Sequence, residues 1–355
     1  MTHAPKTAKL MWRQAGLSMI ELLIAIAVSL FMLAGLVSVF ATSNQTYLDL
    51  SRASQQIENG RLAMQMLTDD IAHAGFFGRF SAGLPVGSAP LLPCEASNMV
   101  NLRNDAALPV YGYNAPGSVP AALTCLAANN FVPGTDILVI RRADSTMAAG
   151  NAATIPAAAL TNGNIYLQAN ADSTATPVIA VGSGSSTTDQ TTFALKNRDG
   201  TNFAPVRRYH VHIYFISPCS IPAGGGSVCT GAADDNGSPI PTLKRIELAS
   251  NGVMSIVPLV EGIENFQVDY GVDVDGEGVP DGAYVVAPAS ATDWSNVVAV
   301  RVNLLARNLE PSAAYTDAKT YDMGAAGSVT PGGPYKRHVY NSVIRVVNVG
   351  SRRES

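Results

Sequence analysis

The sequence Gly16-Leu-Ser-Met-Ile-Glu21 precedes an apolar run, Leu22 to Ala41, that carries no charged side chain. About 20 apolar residues in a helix are enough to cross the hydrocarbon core of a bilayer. A carboxylate placed in hydrocarbon costs about 2.5–3.5 kcal/mol, so Glu21 needs a partner. Cleavage after Gly16 would free the α-amine of Leu17, which lies one helical turn before Glu21. This amine could neutralise the carboxylate of its own chain or that of a neighbouring subunit.

An apolar stripe with alternating steps of three and four residues continues the helix beyond this run. Its members are Leu50, Ala53, Ile57, Gly60, Met64, Leu67 and Ile71. No proline occurs from Leu17 to Phe80. We therefore predict one helix from Leu17 to about Ile71, ended by the glycines at positions 75 and 78.

The N-terminal charges indicate export of the rest of the chain. Lys6, Lys9 and Arg13 precede the expected cut, and no acidic residue accompanies them. The positive-inside rule then predicts a cytoplasmic N-terminus. Removal of these three basic residues changes the formal net charge from −4 to −7. An acidic mature chain is not expected to bind nucleic acid directly.

The remaining sequence alternates loop-forming segments with short runs of β-branched and aromatic residues. These runs predict strands over residues 136–142, 208–217, 242–248, 260–271, 296–307 and 338–348. We expect long loops with little regular structure over 81–130, and weak strands over 148–197. The fold class that follows is α+β, a long N-terminal helix packed on a β-rich C-terminal globular domain.

Four cysteines in an exported region indicate disulfides. Of the three connectivities, we favour the local pairing of Cys94 with Cys125 and of Cys219 with Cys229, which closes two short loops. A zinc site is the alternative, but none of these cysteines forms a CxxC pair.

The stretch from Asp273 to Asp281 has the spacing of a calcium-binding loop, with glycine at the sixth position. The expected ligands are Asp273, Asp275, Glu277, the carbonyl of Val279 and Asp281. The twelfth position is Tyr284 instead of the usual glutamate. The alternative is an acidic glycine-rich hairpin turn. Calcium is the one cofactor that the sequence suggests.

Other polar patterns favour structure over chemistry. His210 and His212 share a strand face and could hold a metal, but they are more simply strand residues. Basic doublets at 141–142, 207–208, 244–245 and 336–337 are interpreted as solvated strand ends, since strand neighbours point to opposite faces. The sequence has no nucleophile elbow, phosphate-binding glycine loop or H-E-x-x-H motif, so we predict that the protein is not an enzyme.

Three segments carry a resemblance to known families. Gly16, Leu17 and Glu21 before an apolar helix resemble the prepilin signal of type IV pilins and of type II secretion pseudopilins. Residues 56–63 and 70–78 resemble a pattern of PilW-type minor pilins. Residues 260–271 resemble a segment shared by PilW-type pilins and, more loosely, by the pseudopilin GspJ.

The resemblance implies a pilin-like protein with four parts. These are a leader peptide (1–16), a membrane-spanning or fibre-core half of the helix (17–41), an amphipathic half (42–75) and a periplasmic β-rich head (76–355). Prepilin peptidase would cleave after Gly16 and methylate Leu17, and Glu21 would set the register of subunits during assembly. The protein would reside in the bacterial inner membrane and later at the pilus tip.

The implied function is type IV pilus assembly, with twitching motility and adhesion as consequences. The implied partners are other minor pilins, the major pilin, a PilY-type tip adhesin, prepilin peptidase and the inner-membrane assembly platform. Two alternatives remain open: a GspJ-like pseudopilin of a type II secretion system, and a calcium-dependent binding module on a membrane anchor.

Overall fold

The fold is α+β, with one long N-terminal helix and antiparallel sheets in the C-terminal region, as predicted. The computed structural model describes residues 16, 18–78, 80, 91–95, 98–171 and 175–354, and at Asn251 only the backbone. Leu17 and residues 1–15 of the expected leader lie outside the described residues. The chain forms two compact units, residues 1–51 and residues 52–355. We call the second the globular unit.

Helix α1, Met19–Ala72, is continuous over 54 residues. Its end confirms the stop predicted at about Ile71. In the first unit the apolar run of the helix is exposed, and it is long and apolar enough to cross a membrane. In the globular unit the helix buries a stripe that includes Ala63, Leu67 and Ile71.

Two main sheets make up the globular unit. The strands are β1 Val110–Tyr113, β2 Ile137–Ala143, β3 Ile165–Gln168, β4 Val178–Val181, β5 Val206–Ser217, β6 Thr242–Leu248, β7 Met254–Glu261, β8 Ile263–Val272, β9 Val297–Arg307, β10 Tyr321–Asp322, β11 Ser328–Val329 and β12 Arg337–Arg345. The first sheet has the order β1-β2-β5-β3-β4, with β6 between β5 and β7. The second, the C-terminal sheet, has the order β12-β9-β8, and β10 pairs with β11 as a separate hairpin.

Four short helices lie among the described residues: α2 Met99–Asp105 before β1, α3 Ser186–Thr192 between β4 and β5, α4 Ala291–Ser295 between β8 and β9, and α5 Val347–Arg353 after β12. Helix α2 begins after Asn98, whose side chain accepts hydrogen bonds from two amides of the first turn. The expectation of little regular structure over 81–130 is therefore wrong at α2 and β1.

One hydrophobic cluster joins the helix to both sheets. Leu67 of α1 belongs to the same packed cluster as Leu138 of β2 and Val302 of β9. A second cluster lies on the opposite face of the first sheet and contains Val139 and Ile213. The segments 137–140 of β2 and 213–216 of β5 are thus apolar on both faces, because each face is covered.

The prediction of a single strand over 260–271 is wrong. The chain turns at Gly262, which has φ +77°, so β7 ends in the first sheet and β8 begins in the C-terminal sheet. Glycine adopts this left-handed conformation without steric strain. Val260 and Ile263 are both buried, so the apolar pattern continues across the corner and does not reveal it. The predicted last strand likewise ends at Arg345, and α5 follows it.

Disulfides join Cys94 to Cys125 and Cys219 to Cys229, the local pairing favoured from the sequence. All four cysteines are therefore paired. Zinc binds cysteine as the thiolate, so a zinc site at these residues does not fit the oxidised chain.

Candidate functional site

The first turn of α1 contains Glu21, the residue expected to act in assembly. Its Oε2 accepts a hydrogen bond of 3.1 Å from the Ser18 amide, and Ser18 Oγ accepts one of 3.2 Å from the Ile20 amide. The two bonds form a capping arrangement that satisfies amides at the helix N-terminus. We did not predict this role for Ser18, although the spacing S-x-x-E could have indicated it. The roles of Gly16, Leu17 and Glu21 in processing and assembly stay predictions.

The segment over residues 56–63, singled out in the sequence, attaches α1 to strand ends. Gln56 Nε2 donates to the carbonyls of Ala306, at 2.8 Å, and Lys336, at 3.1 Å. Asn59 Nδ2 donates to the carbonyl of Glu261 at 3.1 Å. These two side-chain amides join the helix to carbonyls of three chain segments that are distant from it in sequence. The motif therefore positions the helix on the globular unit.

Gly60 lets the ring of Tyr340 on β12 lie directly against the helix backbone. A Cβ atom at Gly60 would come within 2.2 Å of Tyr340 Cε2. Ordinary contacts between carbon atoms are about 3.5–4.0 Å. The position therefore requires glycine while the tyrosine ring is present.

Asp70 of α1 is the centre of a buried polar cluster on the first sheet. Its carboxylate accepts hydrogen bonds from Arg142 Nε at 2.6 Å, His212 Nδ1 at 2.7 Å and Tyr214 Oη at 2.8 Å. Burial alone would raise the pKa of Asp70, but its contacts with His212 and Arg142 outweigh burial and hold the pKa well below its usual range. Asp70 thus remains charged and holds the end of α1 on β2 and β5.

The acidic loop after β8 brings together three of its five predicted calcium ligands. The carboxylates of Asp273, Asp275 and Asp281 offer oxygens within 4.8 Å of one another, and that group does not contain Glu277. Asp273 is fully buried and accepts a hydrogen bond of 2.5 Å from Arg353 Nε of α5. Burial acts to raise the pKa of Asp273, but Arg353 and two backbone amides lower it overall.

This arrangement provides fewer ligands than calcium requires. Calcium takes six to eight oxygens, and the loop assembles three carboxylates, one of which is already paired with Arg353. The sequence did not reveal this pairing, because Arg353 follows Asp273 by 80 positions. Calcium binding, including the assigned roles of Glu277 and the Val279 carbonyl, stays a prediction.

The two strand histidines have separate carboxylate partners. His212 contacts Asp70, whereas His210 Nε2 lies 3.4 Å from Asp144 Oδ2. Burial, followed by the charges of His212 and Arg142, lowers the pKa of His210 to about 4. The possible metal-binding groups among the described residues contain neither histidine.

The interpretation of the basic doublet at 141–142 as a solvated strand end is wrong. Arg141 is fully buried and forms an ion pair of 3.2 Å with Asp105 of α2. Arg142 pairs with Asp70 at 2.6 Å. Both arginines therefore stabilise contacts between β2 and helices that are distant in sequence, which strand periodicity does not show.

Comparison with known families gives a match to the C-terminal part of this structure. The family model described as Type IV Pilus-assembly protein W matches residues 230–348, which include strands β6 to β12. No curated protein and no solved structure gives a significant match to the chain. The matched residues include the segment 260–271 that carried part of the resemblance. The residues 56–63 and the prepilin-like signal precede them.

The match supports a role in type IV pilus assembly, and the matched family is not an enzyme family. Over the residues that build its C-terminal sheet, this chain therefore matches the PilW family of type IV pilus-assembly proteins.

Proposed function

We propose that this chain is a PilW-type minor pilin that helps to start type IV pilus assembly at the fibre tip. The observation that carries the proposal is the PilW match over residues 230–348, in a chain whose α1 is long enough and apolar enough to cross a membrane. Twitching motility and adhesion would follow from the assembled fibre.

In this proposal, residues 17–41 anchor the protein in the inner membrane, residues 42–75 contain the rest of α1, which ends at Ala72, and residues 76–355 form a periplasmic head. Prepilin peptidase removes residues 1–16 and methylates Leu17. Other minor pilins, the major pilin, a PilY-type adhesin and the assembly platform are the partners.

Glu21 supplies the specificity of assembly. An unpaired carboxylate in an apolar environment costs about 2.5–3.5 kcal/mol. Apolar helices can pack side by side at many axial offsets. Only some of these offsets bring the α-amine of a Leu17 close to the carboxylate of Glu21. One buried charge therefore penalises incorrect register while the apolar surface provides most of the association energy.

The Glu21→Ala variant tests this role in a strain that lacks the wild-type protein. We expect normal amounts of the variant in the inner membrane, because removal of the charge does not weaken insertion. We expect reduced recovery in sheared pili and fewer pili by electron microscopy. Glu58→Ala is the matched control, since Glu58 is an exposed carboxylate of α1 outside the apolar run. Normal piliation with Glu21→Ala would contradict the proposal.

The mature N-terminus provides a second test. Mass spectrometry of the protein from membranes should find a chain that begins at methylated Leu17. A chain that keeps residues 1–16, or is cut after the apolar run, would rule out processing as a prepilin.

A further inference from the structure

One face of the C-terminal sheet carries polar residues away from the helix. In the antiparallel register, Arg301 of β9 lies opposite Asp269 of β8, and Asn303 of β9 lies opposite Asn341 of β12. Residues directly opposite in paired strands share a face, and alternate residues of one strand also share it. Intervening residues of β9, such as Val302, belong to the main hydrophobic cluster. The polar face is therefore distinct from the face that packs in this core.

A cleft of about 480 Å³ opens on this polar face, beside the β10–β11 hairpin. Small-molecule sites usually have volumes of about 300–1,000 Å³. The polar groups that line the cleft are mainly Arg301, Asn303, Lys319, Asp322, His338 and Asn341. The cleft is thus large enough for a small polar ligand and rich in hydrogen-bonding groups.

Asp269 holds Arg301 in place beneath the cleft. The Asp269 carboxylate is fully buried, and its Oδ2 accepts hydrogen bonds from Arg301 Nε at 2.7 Å and Asn303 Nδ2 at 3.2 Å. Within the described part of the chain, the bond from Nε is the one hydrogen bond that the Arg301 side chain makes. Its two terminal nitrogens are therefore available to bind a ligand. Asp269 Oδ1 is buried without a donor there. Asp269 is accordingly a positioning residue for the guanidinium.

Lys319 provides a second available cation at the same cleft. It is exposed, and its ammonium has no hydrogen bond or ion pair among the described residues. Arg337 also lines the cleft, but Glu264 and Asp317 already bind its guanidinium. Arg301 and Lys319 are therefore the two cations that can bind an anionic group, and a guanidinium fork matches a carboxylate in particular.

The neutral and acidic groups of the cleft favour hydroxyls around that carboxylate. The amides of Asn303 and Asn341 can donate and accept, whereas the carboxylate of Asp322 only accepts. A ligand with several carboxylates would be repelled by Asp322. We propose that the cleft binds a carboxylated sugar, such as a uronic acid unit of a polysaccharide, whose carboxylate contacts Arg301 and Lys319. This inference does not depend on the proposed function.

Saturation-transfer NMR on the full chain in detergent micelles tests the proposal with three probes. D-glucuronate has the carboxylate and the hydroxyls, D-glucose has only the hydroxyls, and N-acetyl-L-glutamate has carboxylates on a peptide-like frame. We expect glucuronate to bind, and the other two to bind at least about fivefold more weakly. Failure of glucuronate to bind would overturn the proposal. Equal binding of N-acetyl-L-glutamate would overturn the sugar assignment in favour of a peptide carboxylate.

Variants locate the binding at the cleft. Lys319→Gln and Asn341→Ala change exposed side chains, and each is expected to weaken glucuronate binding by about fivefold. Lys196→Gln is the matched control, because Lys196 lies outside the cleft, over the ring of Phe203. An equal loss with Lys196→Gln would show general attraction of anions and would refute the site.

Discussion

Replacement of Gly60 by alanine should destabilise the globular unit, although alanine is the better helix former. In a helix interior, alanine is favoured over glycine by about 1 kcal/mol. At this position, however, the added Cβ would lie 2.2 Å from Tyr340 Cε2 and 2.5 Å from Cζ. The helix or the ring must move, and such overpacking costs about 1–3 kcal/mol. The expected net loss in the free energy of unfolding is therefore up to about 2 kcal/mol.

A second substitution should reverse the sign of this effect. In a Tyr340→Ala background the ring is absent, so the helix preference alone decides the outcome. Gly60→Ala should then stabilise the protein by about 1 kcal/mol. The coupling between the two sites in a double-mutant cycle should be about 1–3 kcal/mol, equal to the overpacking that the ring causes.

The measurement is urea unfolding of the full chain in detergent, followed by tryptophan fluorescence. The sequence has two tryptophans, so a Trp12→Phe background leaves buried Trp294 as the reporter of the globular unit. Gly35→Ala is the matched control on the same helix, because a Cβ at Gly35 meets nothing within 4 Å. This control should leave the unfolding of the globular unit unchanged.

Two results would refute the reasoning. One is stabilisation by Gly60→Ala in the presence of Tyr340, which would show that the tyrosine ring does not require glycine at position 60. The other is destabilisation of the same size with and without Tyr340, which would assign the effect to the helix itself.

Three further predictions concern the buried charges. Asp70→Ala should lower the free energy of unfolding by about 3–5 kcal/mol in thermal or urea denaturation, because Arg142 would keep a largely buried charge without its partner. The pKa of His210 is about 4 in the fold and about 6.5 in the unfolded chain, so the unfolded chain takes up a proton at higher pH than the folded protein does. The free energy of unfolding should therefore fall by up to about 3 kcal/mol as the pH drops from 6.5 to 4. Burial raises the pKa of Asp136 to about 6, so this residue makes the free energy of unfolding rise as the pH drops over part of the same range. The contribution of His210 is therefore measured as the difference in pH dependence between wild type and His210→Gln. In calorimetric titration, Arg353→Gln should bind Ca²⁺ more tightly than wild type, because the substitution frees the carboxylate of Asp273. If neither protein releases or absorbs heat at millimolar Ca²⁺, the acidic loop is not a calcium site.

Local patterns were sufficient for the long helix and for several strands. The stripe that includes Leu67 and Ile71 gave the end of α1 to within one residue, and the alternation over 242–248 gave the bounds of β6. These features depend on periodicity within one element. The corner at Gly262 was missed because buried residues flank it on both sides, so the apolar pattern continues across it.

Long-range pairs account for most of what the sequence did not show. Strand periodicity predicts a solvated strand end at Arg141, whereas Asp105 of α2 pairs with it in the fold. Arg353 pairs with Asp273 from α5, a helix that was not predicted. The cleft gathers residues from β9, β12 and the chain near β10. Their proximity follows from sheet order and register, which no local spacing contains.

The attachment of α1 through Gln56 and Asn59 has a mechanical consequence. Gln56 bonds to carbonyls at the end of β9 and just before β12, and Asn59 bonds to one at the end of β7. Tension applied along the helix is consequently divided among three carbonyls, two at strand ends and one in the residue before β12. Because three hydrogen bonds share the load, the junction should resist pulling better than a single bond of the same kind.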